Sequence, residues 1–158
     1  MATSRKRQVF LTLADDQMCF GCGSLNPRGL RLHFTLDSKK KNLKSRWTPT
    51  KEFQGYQDIL HGGILGLILD EMMVNLLWKL NRPSVTAKLE VRFLQPAKVG
   101  EPIDFEARIS AREGRLTRMQ AKATRPAGKV IAQASATCIQ LGESDTGVKR
   151  RREPGGQP

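Results

Sequence analysis

Between Ile64 and Leu80 almost every residue is apolar: Ile64, Leu65, Leu67, Ile68, Leu69, Met72, Met73, Val74, Leu76, Leu77, Trp78 and Leu80 leave nearly no polar face. A helix of that composition must be covered on most sides, not along a single stripe. About 17 residues give a helix of about 26 Å, and Asn81-Arg82-Pro83 stops it. The flanking sequence has a period of two, the mark of half-buried strands. Ahead of the helix, Leu30, Leu32, Phe34 and Leu36 alternate with Arg31, His33 and Thr35. Asp37 to Lys41 reads as a hairpin turn, and Asn42 to Trp47 returns as a second strand. Behind the helix come Val85 to Phe93, Ile103 to Ala111, Leu116 to Thr124 and Val130 to Leu141. Two strands, a helix and four strands predict an α+β fold in which a curved antiparallel sheet wraps a central helix. Neighbouring copies could complete the cover.

Two acids, Asp70 and Glu71, interrupt this apolar helix. An unpaired carboxylate is costly to bury, so acids there are functional candidates on physical grounds. Glu71 is expected to escape the cost at the helix edge or by pairing with Lys79 or Arg92; Asp70 is the better candidate. Just before the helix stands His61-Gly62-Gly63. The first amides of a helix have no internal partner and favour negative charge, and two glycines let a ligand approach the backbone closely. Such a turn can hold a carbonyl and stabilise an oxyanion forming on it; His61 could equally be a polar core residue. His61 and Asp70 are nine positions apart, about 13 Å along a helix. They cannot meet on one carbonyl within a single chain. A second chain with its helix antiparallel would set Asp70 of one copy against Gly62 of the other, so the reading requires a homodimer.

Composition sets the remaining bounds. The 158 residues fit one domain, expected over 17–142, with an N-terminal extension over 1–16 and a disordered basic tail over 143–158. Val9 to Leu13 could form a short strand. No apolar run reaches the roughly 18 residues of a membrane span, and Met1 to Leu13 lacks a signal-peptide pattern, so a cytoplasmic location is expected. The net charge of +12 implies attraction to polyanions: nucleic acid, an anionic membrane or a phosphate-rich small molecule. Residues 28–51 hold eight Lys or Arg against Asp37 alone, a local net of +7. Such a run is more often a solvated face than a binding surface. Few aromatics and no stacking motif argue against a nucleic-acid module.

Cys19, Cys22 and Cys138 are too few, and odd in number, for a disulfide framework. Cys19-Phe20-Gly21-Cys22 could be half a zinc site or a redox pair. No second pair lies nearby, and redox motifs of this spacing usually open a helix, whereas Gly23-Ser24-Leu25-Asn26-Pro27 follows here. Packed thiols at a strand entry are the expected reading, with neither metal nor cofactor.

The run from Phe53 through His61-Gly62-Gly63 to Asp70-Glu71 resembles the signature of the PaaI-type hotdog-fold acyl-CoA thioesterases. In that family an HGG turn opens the central helix and an acid follows nine residues after the His. Val85 to Gly100 resembles the family's next strand, and Cys19 to Gly23 with Asn26 to Leu30 recurs in one branch. The likeness spans residues 17 to 142. It implies a hotdog fold and hydrolysis of acyl-coenzyme A without a metal by a homodimer or homotetramer. It also implies that Asp70 acts as general base on water or as nucleophile. The Gly62 amide would polarise the thioester carbonyl, with His61 and Gly63 positioning it, and Thr86 would hydrogen-bond near the attacking water. Many relatives place Asn or Gln six residues before the His; here that position is Gly55, and Gln54 or Gln57 could substitute. The alternatives are a hotdog protein that binds acyl-CoA or another polyanion without turnover, and a hotdog hydratase or dehydratase.

Overall fold

A computed structural model describes residues 15–142. The expected strand at Val9 to Leu13 and the tail over 143–158 lie outside the described residues. Six strands form one antiparallel sheet: β1 (Thr35–Asp37), β2 (Asn42–Trp47), β3 (Ser84–Phe93), β4 (Ile103–Glu113), β5 (Leu116–Thr124) and β6 (Val130–Gln140). A short 3-10 turn (Lys51–Phe53) and one α-helix, α1 (Gly62–Lys79), fall between β2 and β3. The sheet order is β1-β2-β4-β5-β6-β3, which leaves β1 and β3 as edges among the described residues. This is the helix-in-sheet arrangement of a hotdog fold.

The helix begins two residues earlier than the apolar run suggests. His61 is its N-cap, with extended backbone, and its Nδ1 accepts a hydrogen bond from the Gly63 amide at 2.9 Å. At the other end Asn81 adopts φ 58°. The Arg82 amide returns to the Leu77 carbonyl at 2.8 Å and the Asn81 amide to Trp78 at 2.9 Å. That left-handed closure satisfies the last carbonyls, and asparagine tolerates it better than most residues.

α1 packs against β2, β3, β4, β5 and β6. Size complementarity explains the fit. The helix contributes Leu65, Ile68, Leu69, Met72, Met73 and Leu76, while the central strands face it with Ala107, Ala121, Ala123, Ala132, Ala134 and Ala136. Small side chains on the sheet let the bulky helix approach closely, and Phe105, Met119 and Ile131 fill the remaining space.

The structure departs from the expected strand over 30–36. Only Thr35–Asp37 joins the sheet. Arg31 sits at φ 52°, and the Leu30 and Leu32 amides pair with the Phe20 and Gly21 carbonyls instead. The alternating Leu30 and Leu32 are buried as their period implies, but the preceding loop takes the backbone partners a strand would have used. No helix among the described residues is long and apolar enough to cross a membrane.

Phe105 is 1% exposed, whereas Leu116, also on the sheet, is 42% exposed. Urea denaturation should therefore show Phe105→Ala losing about 3–5 kcal/mol of stability, and Leu116→Ala staying within about 0.5 kcal/mol of the parent. Equal losses would contradict this placement of the core.

Candidate active site

Along α1, positions 62, 66 and 70 recur every four residues and so share one face. β3 runs over that face. A Cβ built at Gly62 would lie 3.3 Å from the Phe93 ring, and one at Gly66 would lie 3.7 Å from Val91 Cγ2. Further along, the Thr86 hydroxyl donates to Asp70 Oδ1 at 2.7 Å. Phe93, Val91 and Thr86 cannot share a face in a regular strand, because 86 is even and the others odd. A bulge between Thr86 and Lys88 breaks the pairing with β6 and restores the match. The irregularity turns a hydroxyl, in place of Val85, towards the carboxylate, a common use of bulges beside functional residues.

Asp70 is half-buried, and the Thr86 hydrogen bond supplies part of what burial removes from its carboxylate. Behind Thr86 lies Cys138, its register partner on β6 and fully buried. Burial pushes the Cys138 thiol up; the Thr86 hydroxyl lowers it and the nearby Asp70 charge raises it again. At the helix start, the Gly62 amide has no hydrogen-bond partner among the described residues. His61 spends Nδ1 on capping its own helix, which fixes the ring beside this turn.

The other expected site residues divide. Gly55 stands against His61: a Cβ there would lie 3.4 Å from the His61 Cα and Cδ2. Position 55 thus faces the HGG turn but brings no carboxamide. Gln54 Oε1 accepts from the Asp58 amide at 3.2 Å, within its own turn, and Gln57 is exposed.

Glu71 differs from expectation. It forms no ion pair with Lys79 or Arg92 among the described residues. Its carboxylate meets the entry loop instead, with Cys19 Sγ 3.5 Å from Oε1. Burial pushes the Cys22 thiol up to about 12, with the Glu71 charge and Cys19 adding to the rise. These are not the packed strand-entry thiols expected: Cys19 is exposed and Cys22 half-buried. The sequence signal was Cys-x-x-Cys itself, but a partner 52 positions away has no signature in spacing.

Sheet, helix, glycine turn and carboxylate together define a hotdog domain with an acid on its central helix. A model of the thioesterase superfamily matches residues 57–132, which span α1, β3, β4 and β5. Over those residues the chain is similar to that superfamily. A solved thioesterase superfamily protein is 20% identical with a TM-score of 0.69; the alignment covers 72% of this chain and 58% of that one. A phenylacetic acid degradation-related protein of Ralstonia eutropha is 26% identical, with a TM-score of 0.64 and coverage of 70% and 85%. A Streptococcus pneumoniae thioesterase protein solved with coenzyme A is 15% identical, with a TM-score of 0.64 and coverage of 70% and 90%. That protein was also solved with alanine replacing an aspartate and with alanine replacing a threonine, two positions sixteen residues apart. No curated protein matches the chain in sequence.

The burial of Cys138 is directly measurable. A thiol reagent added to native, reduced protein at pH 8 should leave Cys138 unmodified until denaturant is added, as read by peptide mass mapping. Modification of Cys138 as fast as Cys19 would contradict the geometry behind Thr86.

Proposed function

We propose that the chain is an acyl-CoA thioesterase that works as a homodimer. Asp70 of one copy and the Gly62 amide of the other act on one thioester. The observation that carries the reading is the Asp70 carboxylate, set on an apolar helix and held by Thr86. It shares a helix face with an unpaired backbone amide that it cannot reach within its own chain. The eight positions from Gly62 to Asp70 span about 12 Å.

The edge strand supports the pairing. β3 has ten residues and, among the described residues, hydrogen-bonds as a strand only to β6, so its other side offers a row of backbone groups. It also exposes apolar side chains: Val85 is 46%, Leu89 40% and Phe93 55% exposed. A long apolar edge is an invitation to pair with another chain. A second β3 laid antiparallel would extend the sheet, cover Leu89 and Phe93, and bring the two helices into antiparallel register. Homotetramers would follow if such dimers pair again.

In this reading the thioester carbonyl accepts a hydrogen bond from the Gly62 amide, which lies in the field of the helix N-terminus. Asp70 takes a proton from water as the water oxygen bonds to the carbonyl carbon. The negative charge that develops on the carbonyl oxygen is stabilised by the Gly62 N–H. Collapse of the tetrahedral intermediate breaks the C–S bond, and the proton passes to the departing coenzyme A thiolate. Thr86, donating to Oδ1, orients the carboxylate so that Oδ2 faces the water. Direct attack by Asp70 on the carbonyl carbon, breaking the C–S bond, releasing coenzyme A as its thiolate and giving an anhydride that water then opens, uses the same groups. The sixteen-residue separation of the aspartate and threonine altered in the pneumococcal protein equals that between Asp70 and Thr86. The basic stretch over 28–51 would attract the phosphates of coenzyme A.

A panel of acyl-CoAs assayed by free-thiol release tests the activity. Asp70→Asn should retain the fold by circular dichroism and lose turnover by about 100-fold or more. Binding of acyl-CoA without any thiol release by the parent protein would replace this reading with a non-catalytic binder, the function that the missing carboxamide at Gly55 favours. Formation or loss of water across an enoyl-CoA double bond would assign a hydratase or dehydratase instead.

The edge is tested separately. Leu89→Lys places a charge in the proposed β3–β3 contact. Sedimentation should show the parent as a dimer or larger and the variant as a monomer with its activity lost. A fully active monomer would contradict the shared site.

A further inference from the structure

The Cys19–Cys22 loop gathers three metal-ligating side chains that the proposed hydrolysis does not use. Cys19 Sγ, Cys22 Sγ and a carboxylate oxygen of Glu71 all lie within 4.8 Å of one another. The sulfur of Cys19 is 3.5 Å from Glu71 Oε1. Tetrahedral zinc ligands at about 2.3 Å for sulfur and about 2.0 Å for oxygen stand about 3.5 Å apart across an S–Zn–O angle.

The approach is built from both sides. Gly21, between the two cysteines, lies against the Glu71 side chain, and a Cβ there would sit 2.5 Å from Glu71 Cγ and 2.6 Å from Cδ. Any other residue would force the Glu71 side chain or the loop to shift. Gly23 closes the turn, its amide donating to the Cys19 carbonyl at 2.9 Å, and a Cβ there would collide with the backbone of Gln17 and Cys19. On the helix, Asn75 Nδ2 donates to Glu71 Oε2 at 2.8 Å and to the Glu71 carbonyl at 2.9 Å. That bond leaves Oε1 for the thiols and fixes its direction, as outer partners of metal-binding carboxylates do. No Lys or Arg among the described residues pairs with Glu71, so no side-chain cation neutralises the cluster.

We infer that Cys19, Cys22 and Glu71 form a site for a zinc-class divalent ion, which clamps the entry loop to α1. Two thiolates select zinc over magnesium or calcium. The exposed side of Cys19 leaves a fourth position for water. Binding releases the two thiol protons, so affinity falls as pH falls. Glu71 adjoins Asp70 in sequence, and the clamp therefore fixes the helix turn that carries the carboxylate; the ion itself takes no part in the hydrolysis. The inference stands whether or not the thioesterase reading does.

The test is a cobalt titration of the untagged, reduced full chain under anaerobic conditions. Cobalt(II) should give thiolate-to-metal charge transfer in the near ultraviolet and tetrahedral d–d bands in the visible, saturating at one ion per chain. Zinc should bleach both, and the melting temperature should rise with zinc. Cys22→Ser and Cys19→Ser should abolish the charge-transfer band, Glu71→Gln should weaken binding at least tenfold, and Asp70→Asn should bind as the parent does. The parent titration decides even if a cysteine variant fails to fold. Absence of the charge-transfer band in reduced parent protein would overturn the inference and leave a thiol-to-carboxylate hydrogen bond. Its persistence in folded Cys22→Ser would overturn it too.

Discussion

A helix with almost no polar surface has to be surrounded, and the arrangement of this protein follows from that requirement. Five strands cover α1 with small side chains, chiefly alanine, and the bulky helix residues fill the concavity. The cover stops at β3, where one strand edge and the helix face carrying Gly62, Gly66 and Asp70 meet. An apolar element left partly open at a long edge that no described strand pairs invites a further chain. The same opening is where the carboxylate and the unpaired amide are. In the proposed dimer, assembly and chemistry would thus draw on one deficiency of the isolated chain.

Much of this was legible in the sequence because it is written in local periodicity. The strands from Val85 onward come from a period of two, the helix from an unbroken apolar run, and its stop from Asn81-Arg82-Pro83. Asp70 stood out because an acid in so apolar a run is costly, and His61-Gly62-Gly63 because free amides and glycines coincide at a helix start. What escaped depends on contacts that no local pattern encodes. The strand expected from Leu30 was lost to the entry loop, whose carbonyls capture the Leu30 and Leu32 amides. Strict alternation placed Val85 and Val91 on one face; the bulge exchanges Val85 for Thr86. Glu71 was expected at the helix edge or beside a cation; no cation pairs with it among the described residues, and the loop brings it two thiols.

Two neighbouring acids on one helix turn therefore serve different ends. Asp70 meets a hydroxyl from β3, Glu71 an amide from Asn75 and the cysteine loop, and in the proposed dimer only the first would face the helix start of a mate. A single helix turn sets the roughly 100° between them. Placing the loop on one side and the edge strand on the other would separate the proposed holding function from the proposed reacting one.

The central claim is that each reaction centre draws on two copies of the chain, and mixed dimers test it most directly. Asp70→Asn removes the carboxylate. Gly62→Pro removes the amide hydrogen at the first helical position, where proline is tolerated, and His61 at ψ 128° already has the backbone a following proline needs. Each variant alone should be inactive. Co-refolded in equal amounts, they should recover about a quarter of parental activity, because half the dimers are mixed and each mixed dimer has one intact centre. No recovery, with mixed dimers demonstrated by mass spectrometry, would contradict the account.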